Sequence, residues 1–305
     1  MNRLQIIPNH LFAVLNWFIK SNILELKIST PWVNDHLFSL KLDKEKPEGS
    51  ISINFNKSTF NQVDSIEDLS AFAILKVMQS AGILKAEGWE TAFNTLIQYS
   101  DRNIFKGERP ASIVFDTNML IGRYYTLVER ELLHRVGKKE NVRIGYVITQ
   151  GIRDELATFE RKYKATDISR IQECSMGNWF DFSSFRNQLA GNSRMFRLGS
   201  VEAYKMILGG RCITLASGRG DDKIIKATSK YQSEQMVDVF AISEDSDFIS
   251  MCNFRGIQGQ RLDPPPLPAM GTNIVTDWRS IADFIYVLSI RLGAIRLGWD
   301  NSKNC

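Results

Sequence analysis

Four short carboxylate-bearing segments in the second half of the chain restrict its fold and chemistry more than any other feature. They read Ile113-Val114-Phe115-Asp116-Thr117-Asn118, Arg153-Asp154-Glu155-Leu156, Gly220-Asp221-Asp222-Lys223-Ile224-Ile225 and Ala241-Ile242-Ser243-Glu244-Asp245-Ser246-Asp247-Phe248. Each lies where a buried strand should end or a helix should begin. A carboxylate beside a core strand is costly unless something neutralises it, because uncompensated charge is disfavoured in a low dielectric. Acids drawn from four remote segments are therefore expected to share a divalent cation. Hard oxygen donors, with few His or Cys beside them, point to Mg²⁺ or Mn²⁺ rather than zinc.

From Ala111 onward the pattern alternates strands and helices. Strands are expected at Ser112–Phe115, Ile144–Ile148 and Val237–Ile242, with another beginning near Ile257. Helices are expected over about Met119–Arg135, Gln150–Phe159, Val201–Leu208 and Asp221–Tyr231, with a polar loop at Lys138-Lys139-Glu140-Asn141. This alternation predicts an α/β fold with a parallel sheet flanked by helices. Functional groups then gather beyond the carboxyl ends of the strands, where Asp116 and Asp245 fall.

Residues 1–105 read as a separate α+β module. Pro8–Lys20 has helical spacing, Ile23–Thr30, Leu37–Leu42 and Ile51–Phe55 read as strands, and Leu69–Ile83 and Trp89–Tyr99 read as helices. Asp64-Ser65-Ile66-Glu67 resembles a helix start, and Gly107-Glu108-Arg109-Pro110 reads as a hinge. At the other end, Asp263-Pro264-Pro265-Pro266-Leu267-Pro268 is a stiff extended linker, followed by a helix over about Asp277–Leu292. The stripe Ile281, Phe284, Ile285, Leu288 and Leu292 makes that helix a packing element on the core. The expected division is 1–105, 111–263 and 264–305.

Composition excludes several classes. The chain has 305 residues, 44% of them hydrophobic and 24% charged, as an ordinary globular protein does. Its four cysteines (Cys174, Cys212, Cys252, Cys305) form no CxxC pair, so neither a zinc site nor a disulfide framework is expected, and a reduced cytoplasmic setting follows. The apolar run Leu11–Ile19 is too short for a bilayer. No GxxxxGK[ST] exists for a nucleotide phosphate loop. The formal charge of +4 conceals an asymmetry: residues 161–230 hold 13 Lys and Arg against 6 Asp and Glu. Positive charge beside an acidic metal cluster suits phosphodiester chemistry.

Taken one at a time, Asp116 is explained as a helix N-cap and Glu155 as a surface glutamate. Asp221 and Asp222 together suit a helix dipole. Taken jointly, the segment from about 111 to 260 resembles a PIN-domain nuclease. That family begins with a strand followed by D-T-N, as in Phe115-Asp116-Thr117-Asn118. A helical Glu after the second strand matches Glu155. A helix opening D-x-x-I-x-x-A matches Asp222 to Ala227, and strand then T-N-D-x-D-L matches Ser243 to Phe248. The chain departs in having Ser243 and Glu244 where Thr and Asn are usual, and in its long interval between Glu155 and Asp222. The latter singles out 161–199 as an inserted, basic, substrate-facing element.

The resemblance implies metal-dependent hydrolysis of RNA or single-stranded nucleic acid, in the manner of an endoribonuclease, with metal-activated water as nucleophile. Asp116, Glu155, Asp222 and Asp245 are the implied catalytic residues and metal ligands, with Glu155 acting directly or by orienting water. Thr117 and Asn118 would position Asp116, and Asp221, Asp247 and Ser243 would surround the ligands; which of Asp221 and Asp222 is the primary ligand stays open. Arg219, Lys223 and Lys226 lie near enough in sequence to contact phosphates. With only three histidines (His10, His36, His134), no Ser/His/Asp set is convincing. A haloacid-dehalogenase-type phosphatase also starts with a strand-tip Asp, but it needs a second Asp where Asn118 stands. Two alternatives remain: a non-cleaving RNA-binding or assembly module, and a toxin-type ribonuclease controlled by a partner protein. Residues 1–105 would then serve dimerisation, regulation or substrate selection, with no role at a membrane.

Overall fold

The computed structural model describes residues 7–33, 35–61, 63, 66–137, 142–175 and 179–299. The polar loop at 138–141, the Asp64-Ser65 part of the expected helix start and Cys305 lie outside the described residues. Along the chain the elements begin with α1 (Pro8–Lys20), β1 (Glu25–Ser29), β2 (His36–Leu42), β3 (Glu48–Ile53), α2 (Ala71–Ser80) and α3 (Trp89–Ser100). There follow β4 (Ala111–Phe115), α4 (Thr117–Ile121), α5 (Tyr124–Val136), β5 (Ile144–Thr149) and α6 (Gln150–Thr158). Next come α7 (Ala165–Cys174), α8 (Phe182–Phe185), α9 (Gly191–Leu208), β6 (Cys212–Leu215), α10 (Asp221–Gln235), β7 (Asp238–Ser243) and α11 (Ser246–Phe254). The last are β8 (Gln258–Arg261), β9 (Asn273–Asp277), α12 (Trp278–Leu292) and β10 (Arg296–Gly298). Among the described residues no helix is long and apolar enough to cross a membrane.

These elements form two compact units. One comprises the described parts of Met1–Leu84, Glu160–Arg194 and Pro266–Cys305; the other comprises Lys85–Phe159 and Met195–Pro265. The division differs from the expected boundary near residue 105, because packing rather than chain order defines a unit. Helix α3 and the turn at Gly107 belong with the second unit, so the latter does not join two modules.

The first unit is built on an antiparallel sheet in the order β10-β1-β2-β3-β9. Strand alternation puts Leu26, Ile28, Leu40, Leu42, Ile51 and Ile53 into the core, while Lys27 and Lys41 stay exposed. Helix α12 packs in this unit, and its whole apolar stripe is buried. Phe284 meets Phe38 edge-on at 4.8 Å, and Asp277 Oδ1 caps the helix by accepting from the Ser280 backbone N at 2.9 Å. The C-terminal helix therefore serves the antiparallel sheet, not the parallel one. Residues 160–194 join the same unit. Trp32 packs against Phe180 and Phe185 at 4.9 and 4.8 Å, and the Arg194 guanidinium donates to the Arg291 carbonyl at 2.8 Å. Much of the stretch expected to face substrate is thus spent on internal packing.

The second unit holds a five-stranded parallel sheet, β6-β5-β4-β7-β8, flanked by helices. Its first strand, β4, is central and buried along its whole length. The chain steps outward to β5 and β6, then returns to β7 on the other side of β4. In a sheet of this kind the crevice at the point of reversal, here between the carboxyl ends of β4 and β7, is the natural ligand site. The register pairs Phe115 with Ile242, which makes Asp116 and Ser243 neighbours just beyond the last ladder pair. The single helix expected over Met119–Arg135 is interrupted: Gly122 separates α4 from α5, and Arg123 adopts a left-handed φ of +60°. A Cβ on Gly122 would come within 2.9 Å of the Tyr124 ring. Strand β6 lacks the apolar run of its neighbours, since it is an edge strand with Ile213 and Thr214 exposed. The edge strands β9 and β10 likewise have too little burial to show in the sequence pattern. Cys174, Cys212 and Cys252 are free thiols.

Phe284 is fully buried among aromatic rings, so Phe284→Ala is expected to cost about 3–5 kcal/mol in the first unit. Urea denaturation followed by tryptophan fluorescence, five of the six tryptophans lying in the first unit, measures that loss.

Candidate functional site

Asp116 stands at the carboxyl end of β4 and is 6% exposed. Its backbone is extended and its side chain caps α4, with Oδ1 accepting from the Met119 backbone N at 2.8 Å. Across the crevice, the buried Ser243 hydroxyl at the end of β7 donates to Asp116 Oδ2. The same Ser243 Oγ accepts from the Asp245 backbone N at 2.8 Å. One hydroxyl therefore ties the acid of the first strand to the turn that carries the acid after the fourth. Asp245 in turn caps α11, accepting from the backbone N of Asp247 at 2.7 Å and of Phe248 at 3.3 Å.

Glu155 arrives from α6. Its Oε2 accepts from the Thr117 hydroxyl at 2.6 Å, so Thr117 anchors Glu155 and not, as expected, Asp116. Asp221 arrives at the start of α10, directly after Gly220, whose φ of +94° suits a residue without a side chain. The loop before α10 lies close against the start of α6. A Cβ on Gly151 would stand 2.2 Å from the Gly218 carbonyl oxygen, and the Gly151 N–H donates to Ser217 Oγ at 3.1 Å. That contact needs glycine, and it draws the segment carrying Asp221 toward the helix carrying Glu155.

The electrostatics record how near these groups lie. Loss of hydration pushes the Asp116 carboxyl up to about 7, the bonds from Ser243 and Met119 opposing the shift and the charges of Glu244 and Asp221 adding to it. Asp221, although largely exposed, is also pushed up, by lost hydration and then by Asp245 and Glu155. The buried Cys252 thiol is driven up to about 12, first by burial and then by Asp221 and Asp116. Asp116, Glu155, Asp221, Glu244 and Asp245 thus contribute to one negative field.

Not every residue singled out by the motifs joins this group. Asp222 is 73% exposed at its side chain and accepts from Arg255 Nη2 at 3.1 Å, so the first of the paired acids faces the site and the second forms a surface ion pair. Asp247 lies in the first turn of α11, where strand alternation no longer applies, and it is exposed. Asn118 is exposed as well, and the backbone of Met119 rather than its amide steadies Asp116. Arg219, Lys223 and Lys226 are exposed around the opening of α10, and among the described residues none of the three is in an ion pair.

Two residues enter that the motifs did not single out for the site. Glu244 stood out only as a departure from the expected Asn, yet its charge acts on Asp116. Tyr124 carried no signal. Its ring is 2% exposed, 5.8 Å from Trp89, and its phenol is pushed well above the usual range by burial, then by Glu244 and Asp116.

The donor set is all carboxylate oxygen, and the proton affinities of Asp116 and Asp221 are raised by burial and by neighbouring acids, which is the chemistry a hard divalent cation satisfies. Asp116, Asp221, Asp245 and Glu155 are the residues that would hold one. Among the described residues no group of three or more His, Cys, Asp or Glu side chains is assembled closely enough to hold a metal ion. Fit is therefore one of donor type and charge, not of a preformed ligand shell.

An acid whose native pKa lies above its unfolded value destabilises the fold as pH rises between the two. For Asp116 that penalty accumulates from about 4 to about 7 and is full above 7. In metal-free protein, Asp116→Asn is expected to be more stable than the parent at pH 8, by on the order of a few kcal/mol. The difference should vanish near pH 4. Calorimetric melting in the presence of a chelator measures it.

Comparison with known proteins finds no match: no family model, no curated protein and no solved structure resembles the chain closely enough to count.

Proposed function

We propose that the second unit is a PIN-like nuclease domain that hydrolyses phosphodiester bonds in RNA or single-stranded nucleic acid with Mg²⁺ or Mn²⁺. The reading rests on one observation: a buried carboxylate, Asp116, sits at the reversal point of a parallel sheet with the charges of Glu244 and Asp221 upon it. Asp221 carries the charges of Asp245 and Glu155 in turn. Such an arrangement is costly for folding alone and is relieved by a cation.

A divalent cation bound there would lower the pKa of an attacking water and stabilise charge on the leaving oxygen. The chain's own residues supply the rest. Ser243 keeps one Asp116 oxygen oriented while Met119 holds the other. Thr117 fixes one oxygen of Glu155, leaving Oε1 to accept a hydrogen bond from the attacking water. Arg219, Lys223 and Lys226 offer exposed positive charge to the phosphate backbone. No side-chain nucleophile is required. His36 belongs to the antiparallel sheet and bonds Ser39 at 3.0 Å, and His134 lies in the last turn of α5.

Single-turnover cleavage of labelled single-stranded RNA with Mn²⁺ or Mg²⁺, alongside duplex and flap substrates, tests this reading. Asp116→Asn and Asp221→Asn should each lower the rate by more than the roughly 10–100-fold that loss of an outer partner costs, with circular dichroism unchanged. Asp222→Asn, which removes only the surface pair with Arg255, should cost less than about tenfold on the same scale. Metal-independent cleavage in the parent overturns the metal-dependent reading, and absent cleavage overturns it and leaves the non-cleaving module in its place.

A further inference from the structure

Helices α6 and α9 enclose a recess of about 250 Å³ within the second unit, lined by Gln150, Arg153, Asp154, Ala157, Ala203 and Tyr204 among others. We propose that this recess binds a nucleobase of the substrate strand beside the scissile phosphate, an inference that rests on the nuclease reading above. Three features carry it. Tyr204 is 62% exposed and lines the recess, an aromatic residue left largely in water beside a slot whose walls include two alanines. Bases stack on such rings whatever their sequence, because every base has an apolar π-face.

The second feature is a row of polar groups along one face of α6. Gln150 Nε2 donates to Asp154 Oδ1 at 2.7 Å, and Arg153 Nη1 donates to Gln150 Oε1 at 3.3 Å. These bonds hold the three side chains in place. They leave the second carboxylate oxygen of Asp154 as an acceptor and further guanidinium N–H groups of Arg153 as donors. Acceptor and donor side by side are what the edge of an unpaired base requires.

The third feature is continuity with the acidic site. Asp154 and Glu155 are consecutive residues of α6. Glu155 is held on Thr117 at the start of α4, while Asp154 lines the recess, so one helix separates the carboxylates from the slot. A strand whose phosphate meets Glu155 can present an adjoining base to Tyr204. An apolar protein segment would use the walls of the recess but leave the Gln150-Asp154-Arg153 row idle.

The test uses the full chain in Mg²⁺ buffer with a fluorescein-labelled 2′-O-methyl oligonucleotide, which resists cleavage, and an abasic oligonucleotide of equal length. Fluorescence anisotropy gives both affinities. Tyr204→Ala should weaken the base-bearing strand about tenfold and the abasic strand less than roughly twofold, and Tyr204→Trp should restore the difference. Ala157→Phe, which fills the slot, should weaken the base-bearing strand in the same way. Equal affinity of the parent for the two strands, or equal loss in both on Tyr204→Ala, overturns the proposal while leaving the nuclease reading intact. Base-dependent binding without metal-dependent RNA cleavage by the parent removes the nuclease reading and retains the recess as a base-binding site. No binding of either strand overturns the proposal, and the cleavage assay then decides the nuclease reading by itself.

Discussion

The hydrogen bond from Ser243 to Asp116 is the interaction on which the arrangement of the second unit turns. It joins the ends of the two strands between which the order of strand addition reverses, and it lies under cover from solvent. A buried carboxylate without such a donor would carry its desolvation cost unrelieved. The same hydroxyl accepts from the Asp245 backbone, so the position of the acid after β7 is coupled to that of the acid after β4. Neither strand could slip in register without breaking this bond, since a one-residue shift turns every side chain to the opposite face.

Around that bond the chain spends unusual backbone on close approach. Gly151 admits the Gly218 carbonyl, and Gly122 admits the Tyr124 ring. Arg123, buried with a positive φ, starts α5 directly after the break. Such geometry is unfavourable for a non-glycine residue, and it persists where surrounding packing determines it. Its effect is to bring three other segments, carrying Tyr124, Glu155 and Asp221, up to the crevice between β4 and β7.

Strand-helix alternation was legible because buried parallel strands are nearly continuous apolar runs, as Ile113-Val114-Phe115 and Val239-Phe240-Ala241-Ile242 show. Edge strands β6, β9 and β10 were not, because none of their residues is fully buried and no contrast between a core face and a water face marks them. Asp116 and Asp245 were readable as strand-end acids for the same reason that the strands themselves were. The choice between Asp221 and Asp222 was not. Both suit a helix start equally, and only the distant Arg255 draws one of them aside. Tyr124 entered through the interruption at Gly122, which helical periodicity passes over.

The sequence by itself determined that strands and helices alternate after Ala111 and that acids stand at their ends, because burial period and capping chemistry are local. Tertiary structure alone decided which acids share a field, that 160–194 and α12 belong with the antiparallel sheet, and that α6 and α9 enclose a recess. Those outcomes depend on contacts between residues far apart in the chain, and the preferences of neighbouring residues carry no information about them.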